Sequence, residues 1–237
     1  MADSPFRLLG LIGGISWEST SHYYQMLNRM ARERAGGRHS ARILMWSFDF
    51  APIAEKQEEG AWSALTDVMI DAARRLEGAG AEAIVITANT MHKMAPEIQA
   101  AVPIPLIHIA DVTAAALKQK GVKKPLLLAT RYTMEHAFWR DRLSKNGVDS
   151  VVPEEADRAM IHDIIFDELV HGKFTEPSRR RMLAVAEKER ARGIDGVILG
   201  CTEIGLLTPT EMYDLPAVDT AEAHAEAAIE FALRGRA

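Results

Sequence analysis

Three short segments hold side chains able to move protons or grip a small polar molecule. They are Gly13-Gly14-Ile15-Ser16-Trp17, Thr87-Ala88-Asn89-Thr90 and Gly200-Cys201-Thr202-Glu203, and each follows an apolar run. Cys201 is the only cysteine of the chain, which excludes an internal disulfide and a CxxC zinc site. It leaves a buried core thiol, a metal ligand or a proton-transfer group. A metal site is not expected, because neither a second cysteine nor an HxxxH pair stands nearby. For an activated thiol the mechanism is that a thiolate at the start of a helix has a lowered pKa and can accept a proton. Asn89, Thr90 and Thr202 offer donors and acceptors, and the Thr130 to Thr133 turn adds more. Asn89 and Thr90 also suit simple helix capping. Glu203 reads equally as a first-turn acid stabilised by the helix dipole or as a group that tunes Cys201. His92 and His108 read as satisfied polar residues beside a core, and Trp17 as a wall of the site.

Something must carry these segments to one place. Apolar, β-rich runs at Leu8 to Ile12, Ile43 to Phe48, Ala83 to Ile86, Leu106 to His108, Leu126 to Leu128, Ser150 to Val152, Gly196 to Leu199 and Ala217-Val218 read as strands. Helical spacing fills Trp17 to Arg34 (with Ser16 as N-cap), Ala61 to Gly80, Met94 to Ala101, Met134 to Asn146, Ala156 to Arg192 and Ala221 to Leu233. Uninterrupted buried strands alternating with helices predict an α/β protein with parallel sheets flanked by helices. Ligands of such sheets bind beyond the carboxyl ends of the strands, where the three polar segments fall.

The chain also repeats itself. Gly80 to Thr90 aligns without gaps on Gly193 to Glu203, which pairs Ala88 with Cys201. Leu11-Ile12-Gly13-Gly14 matches Leu127-Leu128-Ala129-Thr130, and Pro105 to His108 matches Pro216 to Asp219. Two similar α/β halves related by a pseudo-twofold follow, with the two strand-end clusters expected to face each other across a cleft. The expected domains are 1–112, joined by a C-terminal helix at 220–237, and 113–219. The lysines at 118, 120, 123 and 124 suggest a solvated connection between them.

Composition narrows the function classes. With 28 basic and 33 acidic residues the net charge is −5, and no basic stripe exceeds Arg179-Arg180-Arg181, so no nucleic-acid partner is expected. No run of 18 apolar residues suggests a membrane span. Residues 1–7 are too polar for a signal sequence, and a cytoplasmic location is expected.

Together, Gly13-Gly14-Ile15-Ser16-Trp17-Glu18-Ser19-Thr20, Ala88-Asn89-Thr90-Met91-His92-Lys93 and Gly200-Cys201-Thr202-Glu203-Ile204 resemble the aspartate/glutamate racemase family. The opening motif is most similar to the bacterial branch acting on aspartate or glutamate. The resemblance implies two pseudosymmetric α/β domains, no cofactor, a small acidic amino-acid substrate and a homodimer. It implies a two-base mechanism in which one residue removes the α-proton and another returns one to the opposite face. Cys201 matches the C-terminal base. Ser16, Trp17, Asn89, Thr90, Thr130, Thr133, Lys173, Thr202 and Glu203 are then expected to bind substrate. At the N-terminal base position the family carries cysteine or threonine, whereas this chain carries Ala88. Alanine transfers no proton, so impaired or one-sided activity is expected. Thr87 or a bound water could serve that face. Ala88 could equally be an introduced substitution that leaves a silent dicarboxylate-binding protein. A single thiol is also similar to the arylmalonate decarboxylases of the superfamily, so a single-thiol decarboxylase or isomerase is the alternative.

Overall fold

A computed structural model describes residues 4–234. They form, in chain order, β1 (Leu8–Gly13), α1 (Trp17–Ala35), β2 (Arg42–Ser47), α2 (Phe50–Glu58), α3 (Trp62–Gly78), β3 (Ala83–Ile86) and α4 (Ala95–Ala101). Next come α5 (Ile109–Gln119), β4 (Pro125–Leu128), α6 (Arg131–Glu135), α7 (Ala137–Lys145), α8 (Glu155–Asp163) and α9 (Glu176–Arg190). The chain finishes with β5 (Gly196–Leu199), α10 (Ile204–Leu207), β6 (Ala217–Asp219) and α11 (Thr220–Leu233). This is an α/β protein of parallel sheets flanked by helices. No helix among the described residues is long and apolar enough to cross a membrane.

The chain divides into two compact units, Met1–His108 with His224–Ala237, and Ile109–Ala223. In the first, the parallel sheet runs β2-β1-β3, with Leu9 paired to Ile43 on one side and Ala83 on the other. All four residues of β3 are buried. Burying each Leu or Ile side chain of such a sheet contributes about 1.5–3 kcal/mol. In the second, the parallel order is β4-β5-β6, and β4 and β5 are buried along their whole length. Leu106 bridges Ile84 beyond β3, and Val151 bridges Leu126 beyond β4. Each unit therefore shows the same four-position order: β2, β1, β3 and Leu106 in one, Val151, β4, β5 and β6 in the other. The alignment of Ala83–Ile86 with Gly196–Leu199 is thus also an equivalence of topology.

Several local expectations change. The stretches at 106–108 and 150–152 are single bridges rather than strands. Pro105 O and Ile107 N each bond once to Ile84, after which the chain turns into α5; Val151 likewise bonds only Pro125 and Leu127 before Pro153. The segment read as a solvated connection contains α5. Its face of Ile109, Ala110, Thr113, Ala114 and Leu117 is buried, and the lysines cluster at its far end and beyond. Helix α2 was not expected at all. The stretch at 134–146 is broken at His136, which is extended (ψ 140°). The helical segments expected over 156–192 are α8, a π turn, a 3-10 turn and α9. The units divide at 108/109 and 223/224 rather than at 112/113 and 219/220, and residues 1–3 and 235–237 of the expected bounds lie outside the described residues.

Candidate active site

In the first unit the β1–α1 turn is the most constrained backbone near the polar segments. Gly14 has φ +75°, and a β-carbon there would run into the backbone O and N of Phe48. Ser16 has φ 52°, the only positive value among described non-glycine residues. Such residues cost about 1–3 kcal/mol and concentrate at functional sites. Ser16 is buried, and its hydroxyl accepts from Ser19 N at 3.1 Å, capping α1. Trp17 beside it is exposed (68%). Gly14→Ala is expected to destabilise the fold by about 3 kcal/mol, combining positive-φ strain with overlap. Thermal unfolding should show a melting temperature lower by roughly 10 °C.

The end of β3 is sealed by hydroxyls. Thr87 is fully buried, its Oγ1 3.1 Å from Thr20 Oγ1 and 3.2 Å from Ile12 O, while Ser19 donates to Thr87 O at 2.9 Å. Thr20 Oγ1 also accepts from Gly14 N at 2.9 Å. These bonds tie β3, β1 and α1 together and leave the Thr87 hydroxyl enclosed. Ala88 packs in the hydrophobic core of its unit. Asn89 and Thr90 follow, buried, at the entry to a 3-10 turn, Thr90–Met94.

Behind this turn stand three imidazoles. His92 Nδ1 donates to Ala88 O at 2.9 Å, and its ring lies 4.9 Å from His108 and 5.5 Å from His224. His224 Nε2 donates to Ile107 O at 2.7 Å, so its Nδ1 accepts from Tyr23 Oη at 2.9 Å. Burial, reinforced by the neighbouring histidines, holds His92 well below the usual histidine value and His224 at about 4. A lowered folded pKa means that the unfolded chain binds more protons in acid. The stability is therefore present above pH ~6.5 and is lost as pH falls toward the folded values. For His224 alone the loss by pH ~5 is roughly 2 kcal/mol. Urea midpoints at neutral and mildly acidic pH should differ accordingly, with the difference reduced in His224→Gln.

The second unit holds the thiol. Gly200 lets the chain leave β5 closely, since a β-carbon would meet Leu127 Cδ1 at 2.6 Å and Leu128 O at 3.0 Å. Cys201, Thr202 and Glu203 are all buried. Cys201 Sγ donates to Glu203 Oε2 at 3.0 Å, and Thr202 Oγ1 donates to the same oxygen at 2.7 Å. Burial, then the Glu203 charge and hydrogen bond, push the thiol well above the ordinary cysteine value. The lowering open to a thiol at a helix start is therefore not found here. Helix α10 has only four residues, so its dipole is small, and desolvation beside a carboxylate outweighs it. Cys201 rests as a thiol with an acceptor in place.

At the end of β4, Thr130 caps α6. Its Oγ1 lies 3.4 Å from Thr133 N and 3.3 Å from Thr133 Oγ1, with Thr133 fully buried. Lys173 lies apart on an exposed turn after the left-handed Gly172, its N–H on Glu168 O. Among the described residues its side chain makes no hydrogen bond or ion pair. Sequence reasoning missed Asp219, which ends β6. Its carboxyl is pushed up to about 7, mainly by burial. The signal was present in the repeat, which pairs Asp219 with His108 at the carboxyl end of a strand. Among the described residues no group of three or more His, Cys, Asp or Glu is placed to hold a metal ion.

A duplicated parallel α/β architecture with polar strand ends, one bearing a lone thiol beside a carboxylate, defines the structural class. The Asp/Glu/Hydantoin racemase family profile matches residues 12–228, and the chain belongs to that family. A crystal structure from Yersinia pestis, provisionally described as an Asp/Glu racemase, is 46% identical; the match covers 96% of this chain and all of that one, with a TM-score of 0.89. An aspartate racemase homologue from Pyrococcus horikoshii OT3 is 32% identical over 94% and 98% of the two chains, with a TM-score of 0.82. The broad specificity amino-acid racemase RacX of Bacillus subtilis (strain 168) is 21% identical across 94% of this chain and 96% of its own. Membership carries racemase-type, isomerase chemistry on small amino-acid substrates.

Proposed function

We propose that the chain is a cofactor-independent racemase-type enzyme for aspartate or glutamate in which Cys201 is the side-chain acid–base and residue 88 supplies none. The observation that carries this reading is the buried Cys201 thiol, hydrogen-bonded to Glu203 where β5 ends. Loss of the thiol proton to solvent hydroxide, increasing with pH, leaves a thiolate. The thiolate takes the substrate α-proton, the Cα–H bond breaks and an enediolate forms. Donors around the α-carboxylate must stabilise that charge. Asn89, Thr90, Thr130, Thr133, Thr202 and the backbone at Ser16 are the groups proposed for this, with Trp17 at the edge and Lys173 as the weakest member. On the Ala88 side the enclosed Thr87 hydroxyl is a poor substitute for a base, so water returns the proton there. Proton exchange then outpaces inversion.

The substrate class rests on the motif resemblance and on the descriptions of the Yersinia and Pyrococcus proteins. A homodimer accompanies it on the resemblance alone. The test is incubation of each enantiomer of aspartate and glutamate in heavy water, with neutral amino acids alongside because of RacX. Deuterium should enter at Cα of at least one acidic enantiomer. Absence of exchange with every acidic amino acid would sink the reading. Alanine at position 88 also favours a second reading, a single-thiol decarboxylase, which release of carbon dioxide from aryl- or alkylmalonates would select. Calorimetric binding of aspartate or glutamate without exchange would instead select a silent binding protein.

A further inference from the structure

Asp219 is a half-buried carboxyl that the proposed chemistry does not use. Its Oδ1 accepts from Ala221 N at 2.8 Å and Glu222 N at 3.2 Å, which fixes it beneath the start of α11. Its Oδ2 lies against Gly205 of α10, in the space a β-carbon would occupy. Gly205 is two residues beyond Glu203. Extending the repeat without a gap pairs Gly205 with His92, and His108 is already paired with Asp219. In the first unit His92 and His108 touch ring to ring, 4.9 Å between centroids. The same two repeat positions therefore meet in both units. In the second, glycine replaces the imidazole and a carboxyl enters beside the thiol pair.

The titratable groups around Asp219 are Glu222 on α11, Glu203 before α10, Cys201 at the end of β5, and Tyr213. The other elements packed on β6 carry Asp111, held by both guanidinium arms of Arg142, Lys118 in the last turn of α5, and Glu211, which accepts from Thr210. We propose that Asp219 is a positioning residue for the thiol: slotted over Gly205, its negative charge acts with Glu203 to hold the proton on Cys201 and to make the thiolate a stronger base once formed. This rests on the reading of Cys201 as the acid–base group. Like charges in a desolvated site disfavour a further anion. With its carboxyl at about 7, Asp219 gains its charge across the neutral range and couples the thiol to pH there.

The single cysteine makes the test specific, because ultraviolet thiolate absorbance reports Cys201 alone, with Cys201→Ser as blank. Asp219→Asn keeps the size and the capping oxygen, and Asp219→Ser keeps a capping oxygen without charge. In either folded variant the thiol should titrate at lower pH, with about three- to tenfold more thiolate at a fixed alkaline pH. Reciprocity supplies a version that leaves Asp219 intact. In Glu203→Gln the Asp219 carboxyl, followed by carbon NMR, should titrate at lower pH than in the unaltered chain. Superimposable thiol titrations in a folded Asp219 variant, or an unmoved Asp219 midpoint in Glu203→Gln, overturn the proposal. The readout needs no turnover, so it separates from the function assigned above. Shifted titrations without Cα exchange keep the coupling and remove the racemase reading; exchange with unshifted titrations does the reverse.

Discussion

Replacing Ala88 with cysteine is expected to raise the rate of inversion of aspartate or glutamate by about 10²–10⁴-fold, the usual worth of a positioned acid–base group. The repeat places residue 88 where Cys201 stands in the other half, and in the unaltered chain that position holds a methyl group 6% exposed in a hydrophobic core. In the proposed mechanism water delivers a proton there without orientation or a matched pKa, so exchange without inversion should dominate. A thiol adds one heavy atom to a packed position, with an expected stability cost of about 1–3 kcal/mol. Thermal unfolding checks that cost. Polarimetry for inversion, beside mass spectrometry for deuterium uptake, reads the chemistry. The ratio of exchange to inversion should fall toward unity in Ala88→Cys and move the same way, less far, in Ala88→Thr. Two folded variants with unchanged inversion would remove the missing base as the explanation and weaken the racemase assignment.

Cys201→Ser should lower Cα exchange by about 10²–10⁴-fold while leaving the fold intact. The hydroxyl is close in size and can still donate to Glu203, so the loss reads chemistry rather than packing. An alcohol ionises far less readily than a thiol, and that difference is the expected defect. In the unaltered chain burial and Glu203 keep the thiol protonated. Exchange should therefore climb with pH through neutrality into the alkaline range as the thiolate fraction rises. A rate that is flat over that range, or equal in Cys201→Ser, would assign proton transfer to another group.

The architecture was legible because its central strands are written as pure apolar runs. Ala83–Ile86 and Gly196–Leu199 are buried on both faces, and their alignment marked two equivalent sheets before any contact was known. Helix α5 was obscured because four lysines at and beyond its end dominate a face of alanine, threonine and two large apolar residues. The bridges at Leu106 and Val151 read as strands because sequence registers apolar character, not how many ladder bonds a segment completes. At the site, residue identities were readable and protonation was not. Position along the chain placed Cys201 before a helix and suggested a lowered pKa; only burial and the 3.0 Å approach of Glu203 reveal that desolvation dominates. The Asp219 carboxyl was hidden for the same reason. A capping aspartate and one sunk against a glycine look alike in one dimension.

The division of α11 between the units bears on the order in which this chain can be completed during synthesis. Ile109–Ala223 is one unbroken stretch, so every residue of that unit has been made before the segment beginning at His224 exists. Met1–His108 meets that segment only after the whole of the other unit has been made. His224, which bonds Tyr23 and Ile107, and Ala232, whose carbonyl takes the N–H of Arg7, are supplied only after every residue of the other unit. The half that emerges first from the ribosome is the half that receives its residues in two instalments.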